Sequence, residues 1–227
     1  MSSCPDLRLD WCSYEAAKYA VEHWHYSRSM PAFKTARVGV WENGVFVGAI
    51  LFGVGANSNI HSPFRLQRHE ACELVRVALR DHRNAVSRMV AIAIRLLRRQ
   101  SPGLRLIVSY ADTAQDHYGG IYQAGGWIYT GLTSAGKLYL VRGKWVHQRQ
   151  ASSLLGSIKG VSSRMSSEKH RYLMPLDDDI KRRIAPLAKP YPKRPTRGTG
   201  ETDSAPGSNR ETGGASPTVP LLPEGDD

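Results

Sequence analysis

The stretch RVGVWENGVFVGAILFG, residues 37 to 53, constrains the fold more than any other part of the chain. Two runs rich in β-branched and aromatic residues flank Asn43-Gly44, a dipeptide that accepts the positive φ angles of a tight type I′ turn. The segment therefore predicts an antiparallel hairpin, and the rest of the chain must supply the elements that cover it.

Those elements are legible on both sides. LRLDWC (7–12) reads as a short strand, and Ser13 is placed to cap a helix through YEAAKYAVEHW with Glu15 in its first turn. ELVRVAL (73–79) reads as a strand. Residues 84–99, NAVSRMVAIAIRLLRR, are apolar at 86, 89, 90, 93 and 97, one helix face, with Arg88, Arg95 and Arg99 on a basic outer face. LRLIVSYAD (104–112) reads as a buried strand, GGIYQAGG as a short helix ended by glycine, and WIYTG with KLYLVRG as a final strand pair. Alternation in the middle and an antiparallel finish predict a mixed α/β sheet.

With 227 residues, 41% of them hydrophobic, the chain can bury one sizeable core. The uncharged run VFVGAILFGVGA is too short and glycine-rich to cross a bilayer, and MSSCPDLRLD lacks the blocks of a signal peptide, so a soluble cytoplasmic protein is expected, with no membrane partner. Cys4, Cys12 and Cys72 form no CxxC pair and read as reduced thiols. From residue 186 the text turns dense in Pro, Gly, Ser and Thr, which predicts a disordered tail (186–227) after a folded domain (1–185). Five of the 31 basic and six of the 20 acidic residues lie in that tail, so the overall charge of +11 becomes +12 for the folded part. Such an excess calls for a polyanionic partner, nucleic acid first, because neutralising phosphates releases counterions.

Three segments carry groups suited to chemistry. HWHYSRS (23–29) gathers two histidines, a tyrosine, two serines and an arginine at a helix end, where they can converge with residues from elsewhere; the same segment also reads as a frayed end with Trp24 packed inside. SYADTAQDHYGGIYQAGGW (109–127) sets Asp112 at the carboxyl end of a buried strand, where α/β sheets present ligands, followed by Asp116, His117, Tyr118 and Tyr122; Asp112 equally reads as a helix cap. Arg76 sits in mid-strand, alternating with Val75 and Val77 and alongside Leu74 and Ala78. There it pairs with an acid such as Glu73 or Asp112, or meets an anionic substrate. FGVGA (52–56) is no phosphate loop, since SNIHSPF rather than a helix follows; it reads as a strand end or bulge.

The element order resembles the GNAT (N-acetyltransferase) fold. More closely, HWHYSRSMP, VGVWENGVFVGAILFGVGAN, ELVRVAL, SYAD, IYQAGGW and KHRYLMPL resemble the Mom family of bacteriophage DNA-modification proteins, over roughly residues 7 to 176. That resemblance implies a GNAT-like domain and transfer of a methylcarbamoyl (carbamoylmethyl) group to N6 of adenine in double-stranded DNA, which masks phage DNA from host restriction. It implies catalytic roles for Tyr26, Ser27, Arg76, Asp112 and Tyr122. Trp24, Tyr26 and Trp127 are expected to line a pocket for an extruded base, and Arg28, Arg88 and Arg95 to contact DNA. The resemblance also points to iron, with His25 and Asp112 as the first ligands to test and His117 as a third. It leaves the carbamoylmethyl donor and the oligomeric state open. Acetyl-CoA is disfavoured: the turn after ELVRVAL reads RDHRNAVSR, without the glycine that lets backbone amides approach a pyrophosphate. Two other readings stay open on the residues: an acyltransferase using acyl-CoA on a protein or small molecule, and a non-catalytic DNA-binding protein.

Overall fold

The computed structural model describes residues 5–55 and 59–193, with the backbone alone at 149 and 150. β1 (Leu7–Trp11) leads into α1 (Tyr14–Trp24), whose first turn is capped as expected: Ser13 Oγ accepts the Ala16 N–H at 3.1 Å. β2 (Thr35–Glu42) and β3 (Val45–Gly53) form the hairpin, with Asn43 and Gly44 at φ 50° and 79°. β4 (Ala71–Leu79), α2 (Val86–Gln100), β5 (Leu106–Asp112), α3 (Gly120–Ala124) and β6 (Ile128–Leu132) follow in the expected order. The chain then continues through β7 (Lys137–Val141), β8 (Lys144–His147), α4 (Gln148–Leu155), β9 (Ser163–Met165), β10 (Lys169–Pro175) and α5 (Asp178–Ile184).

The architecture is mixed α/β. Seven strands form one sheet in the order β1-β2-β3-β4-β5-β10-β6, antiparallel throughout except for β4 with β5. The final strand pair expected from the sequence does not form. β10 inserts beside β6, while β7 joins β8 and β9 in a separate three-stranded sheet with its own small core of Tyr139, Val141 and Ala151. Part of the stretch assigned to the tail from composition is described. Residues 186–193 run along the domain, where the Lys189 N–H donates to Tyr129 O at 2.8 Å and the Tyr191 hydroxyl to Trp127 O at 2.7 Å. The tail expected beyond them, with Cys4 and Asn57, lies outside the described residues.

Two helices cover opposite faces of the large sheet. On one, Met89, Val90, Ala93, Ile94 and Leu97 of α2 pack on Val38, Val40, Ile50, Phe52 and Leu74; each large side chain removed from water contributes about 1.5–3 kcal/mol. On the other, Ala17, Ala20 and Val21 of α1 meet Ala49, Leu51 and Ala78. Small side chains on both sides let α1 lie close to β3 and β4, which aims its C-terminal end at the middle of the sheet. Cys12 and Cys72 are free, and burial pushes their thiols up to about 11 and about 12, so both stay protonated at neutral pH. Among the described residues no helix is long and apolar enough to cross a membrane.

One irregularity in β4 shapes everything that follows. Arg76 pairs with Leu51 and Leu74 with Phe52, so Val75 is an extra residue, a β-bulge. The parallel ladder between β4 and β5 ends at the same point, with Leu74 opposite Ser109. Beyond it β4 stays with β3 and β5 with β10, and a wedge opens between the two central strands. The bulge also corrects the expected face of Arg76. It does not share a side with Leu74, which packs under α2; it points with Glu73 and Ala78 toward the α1 side. Strand alternation puts Tyr110 and Asp112 of β5 on that side as well.

Candidate active site

The end of α1 delivers HWHYSRS onto this wedge. The helix stops because His25 turns extended (φ −111°, ψ 136°) while its N–H still reaches Val21 O. A tight turn follows, with the Arg28 N–H donating to His25 O at 2.9 Å and Arg28 at φ 43°. Inside the turn the Ser27 N–H donates to His25 Nδ1 at 3.1 Å, and the Ser27 hydroxyl lies 2.8 Å from the same nitrogen. Nδ1 is therefore an acceptor, and the neutral ring carries its proton on Nε2. Burial, with help from the charges of Arg76 and His117, lowers the His25 pKa from 6.5 to about 4, so the ring is neutral at physiological pH.

Tyr26 packs against His25 with ring centroids 4.3 Å apart and planes tilted by 32°, and meets His117 edge-on at 5.5 Å. Its ring is 50% exposed. Burial and the nearby Asp112 carboxylate raise the phenol pKa against the opposing pull of Arg76, so Tyr26 is a proton donor at neutral pH. His117, which Tyr26 touches, donates its backbone N–H to Asp112 O at 3.2 Å, so the loop bearing Tyr26 and the strand end bearing Asp112 do come together.

Arg76 fills the wedge between them. Its Nη1–H donates to Val75 O at 2.8 Å, yet its Nε is buried without a hydrogen-bond partner. Burial lowers its pKa, and the charges of Tyr26 and Glu73 work the other way. Glu73 lies against Gly55, where a Cβ would strike its Oε2 and where φ is +78°. The FGVGA glycines thus end a strand, as expected, and make room for this carboxylate.

Asp112 has several partners. Oδ1 accepts the Ala114 N–H at 3.0 Å, capping the 3-10 turn Thr113–Gln115, and the Ser167 hydroxyl at 2.6 Å; Oδ2 is 3.8 Å from Lys169 Nζ. The cap reading and the site reading of this residue both describe it. Ser167 and Lys169 were not expected at the site: KHRYLMPL, which Lys169 opens, was not read as a strand beside β5.

The remaining candidates divide. Tyr122 is buried under α2, and its hydroxyl shares a 2.8 Å hydrogen bond with Ser109 Oγ, which donates to Leu74 O at 2.9 Å across the mouth of the wedge. Trp127 is not brought to the site: it is 1% exposed, packed against Tyr122 in the core. Trp24 is half-buried beneath the loop, against Phe46 and under the Arg80 guanidinium at 4.9 Å. Arg28 is exposed beside Tyr26. Arg88 and Arg95 are exposed on α2, across the sheet from Tyr26, and Arg88 donates to Asn84 Oδ1 at 2.8 Å. Asp116 and Tyr118 flank His117; the Tyr118 carbonyl accepts the Tyr172 hydroxyl at 2.6 Å.

Residues 6–193 match the model of the Mom protein family, which spans most of the chain. The chain belongs to the Mom protein family. Within the family's known members it is 26% identical over 204 residues to the methylcarbamoylase mom of Escherichia phage Mu, covering 83% of this chain and 84% of that protein. Solved structures with a similar layout include a spermidine N-acetyltransferase variant from Vibrio cholerae (9% identity, TM-score 0.45, 79% of this chain and 97% of that one). A GNAT family acetyltransferase from Elizabethkingia anophelis with acetyl-CoA bound is another (10% identity, TM-score 0.40, 75% and 98%).

Two bound groups, iron and acyl-CoA, can be set against these residues. For iron, no set of three or more His, Cys, Asp or Glu side chains among the described residues is arranged to hold a metal ion. Because His25 Nδ1 accepts from Ser27, its proton sits on Nε2, and Asp112 Oδ2 faces Lys169; in that tautomer and without a third ligand these residues do not fit an iron centre. For acyl-CoA, the backbone amides ahead of α2 are occupied from within. Arg83 N–H and Asn84 N–H donate to the Glu42 carboxylate at 2.8 and 2.7 Å, and Asn84 Nδ2 adds a third bond at 2.9 Å. Burial works against the charged carboxylate, but these hydrogen bonds outweigh it and hold the Glu42 pKa low. The Glu42 carboxylate thus takes two of the backbone amides ahead of α2.

Proposed function

We propose that the protein is a DNA-modifying transferase that joins a carbamoylmethyl (methylcarbamoyl) group to N6 of adenine in duplex DNA and so shields phage DNA from host restriction. The observation that carries this reading is the convergence of Tyr26, Arg76 and Asp112 at the wedge between β4 and β5, in a chain of the Mom family. N6 is adenine's hydrogen-bond donor in the major groove, and a substituent there alters the pattern that restriction enzymes read.

The adenine amino lone pair is delocalised into the ring, so N6 attacks only as it sheds a proton. The N6–C bond forms to the donor's methylene carbon while the bond from that carbon to its leaving group breaks, and the leaving group departs with the electron pair. Asp112 accepts the N6 proton. The Tyr26 phenol, held protonated, donates to the leaving group, and the positive charge of the neighbouring Arg76 guanidinium stabilises the charge that develops there. Neutral His25 presents Nε2–H to orient the donor's amide, with Ser27 fixing its tautomer. Extruding the base costs a few kcal/mol, which stacking on the exposed Tyr26 ring and phosphate contacts offset.

The acyl-CoA reading is disfavoured by Glu42 on the amides ahead of α2. A non-catalytic reading leaves the convergence of Tyr26, Arg76 and Asp112 without a role. Plasmid DNA from cells expressing the protein, digested to nucleosides and analysed by mass spectrometry, tests the proposal. A carbamoylmethyl-adenine peak is expected; adenine of unchanged mass alone would overturn it.

A further inference from the structure

From His117 to Ser167 the chain contains no acidic residue and six lysines or arginines. Most of that stretch is the separate sheet of β7, β8 and β9 with α4. Lys137, Arg142, Lys144, Lys159 and Arg164 are all exposed. Among the described residues none of the five has an ion-pair partner. Around β5 and α5, by contrast, arginines are neutralised: Arg105 is gripped by Asp177 and Asp179 at 2.7 and 2.8 Å, and Arg183 by Asp179 at 2.6 Å.

The small sheet is two-sided. Tyr139, Val141 and Val146 turn inward to its core. Strand alternation and register put Leu140, Trp145 and Arg164 on the open side, where the Arg164 guanidinium lies 4.5 Å over the exposed Trp145 ring. The β7–β8 turn is a two-residue type I′ turn, with Arg142 at φ 51° and Gly143 at 76°. Asn, Asp or Gly relieve that first position, and an arginine is held there at a steric cost. A local rule is thus broken in favour of a cation at the most prominent point of the ribbon.

The sheet is rooted at the candidate site. Its incoming link is tied to the return strand by Gly136 N–H to Ser166 Oγ at 2.9 Å, and that return strand brings Ser167 and Lys169 to Asp112. α2, whose basic face includes Arg95 and Arg99, lies across the large sheet from Tyr26.

We infer that the β7–β8–β9 sheet is the docking surface for duplex DNA, with Arg142 and Lys144 at the ribbon tip and the Trp145–Arg164 pair on its open face. This rests on the DNA-modifying reading above. An antiparallel two-stranded ribbon fits the major groove, about 12 Å wide, and unpaired cations on it release counterions from phosphates. Docking there leaves the duplex beside the strand that ends in Asp112.

The test uses the full-length protein, a labelled duplex and fluorescence anisotropy over a NaCl series. Arg142→Gln with Lys144→Gln and Arg164→Gln is compared with Arg98→Gln plus Arg99→Gln on α2, and thermal melts verify folding. Losing three phosphate contacts is expected to reduce the slope of log K against log salt by about 2.7 and to weaken binding on the order of 100-fold at 0.1 M salt. The α2 pair is expected to change little. If the triple variant melts early, Lys144→Gln alone, at the exposed tip, carries the test with a slope change of about 0.9. Wild-type affinity and slope in the sheet variants, or an equal loss in the α2 variant, overturns the inference while leaving DNA modification intact. A wild type that binds no duplex overturns the DNA-modifying reading and this inference with it.

Discussion

Arg76→Met keeps the reach of the side chain and removes its charge and donors, which separates a guanidinium held for a substrate from one that holds the fold. The unpartnered Nε costs the native state roughly 1–3 kcal/mol, and that penalty disappears in the variant. Against it, the variant gives up the Nη1–H bond to Val75 O, about 1 kcal/mol net. It also gives up attraction to Glu73, about 1 kcal/mol at the higher effective dielectric of a partly open site. These contributions nearly cancel, so urea unfolding is expected within about 1 kcal/mol of wild type, or roughly 4 °C in Tm for a domain this size. Modification measured as carbamoylmethyl-adenine per total adenine should instead fall about 10²- to 10³-fold, the usual effect of losing one preorganised donor to developing charge. Breaking a buried structural pair has the opposite signature, a loss of about 3–5 kcal/mol. A variant destabilised that far but still modifying DNA at the wild-type rate would refute the role given to Arg76.

His25 supplies a pH prediction. Its folded pKa of about 4 lies below the ordinary 6.5, so the neutral ring's contribution to stability is complete above about pH 6.5 and is lost as pH falls from there through about 4. NMR titration should show no His25 transition between neutrality and pH 5; a midpoint near 6.5 would contradict the tautomer and burial assigned to it. Gly55→Ala should destabilise the protein by about 1–3 kcal/mol through its left-handed backbone and displace the Glu73 carboxylate, lowering modification as well. Wild-type stability in that variant would mean the close approach is not needed.

Much of the fold was legible because its strongest elements are local. Asn43-Gly44 specifies its own turn, Ser13 its own cap, and the apolar stripe of α2 its own buried face. The site was legible as separate pieces: HYSRS, Arg76 and SYAD do converge. What the sequence hid depends on partners distant in the chain. The bulge at Val75 exists only in register with β3, and without it Arg76 is assigned to the wrong side of its strand. β10 mixes apolar and charged residues because its Tyr172 and Leu173 enter cores on opposite faces while Lys169 reaches Asp112 and Arg171 bonds Thr130, so no simple alternation announces it. Missing β10 also made β6 and β7 look like neighbours. Trp127 could not be told from a base-stacking tryptophan by composition; its burial beside Tyr122 decides the matter.

The central claim, that Tyr26 and Asp112 act together on adenine at the β4–β5 wedge, is tested most directly by the nucleoside mass spectrum of plasmid DNA from cells expressing wild type, Tyr26→Phe or Asp112→Asn. Asparagine keeps the cap to Ala114 and the bond from Ser167, so the fold is retained while the proton acceptor is lost. The account predicts carbamoylmethyl-adenine from wild type and little or none from either variant, with duplex binding unchanged. Full modification by both variants would contradict it.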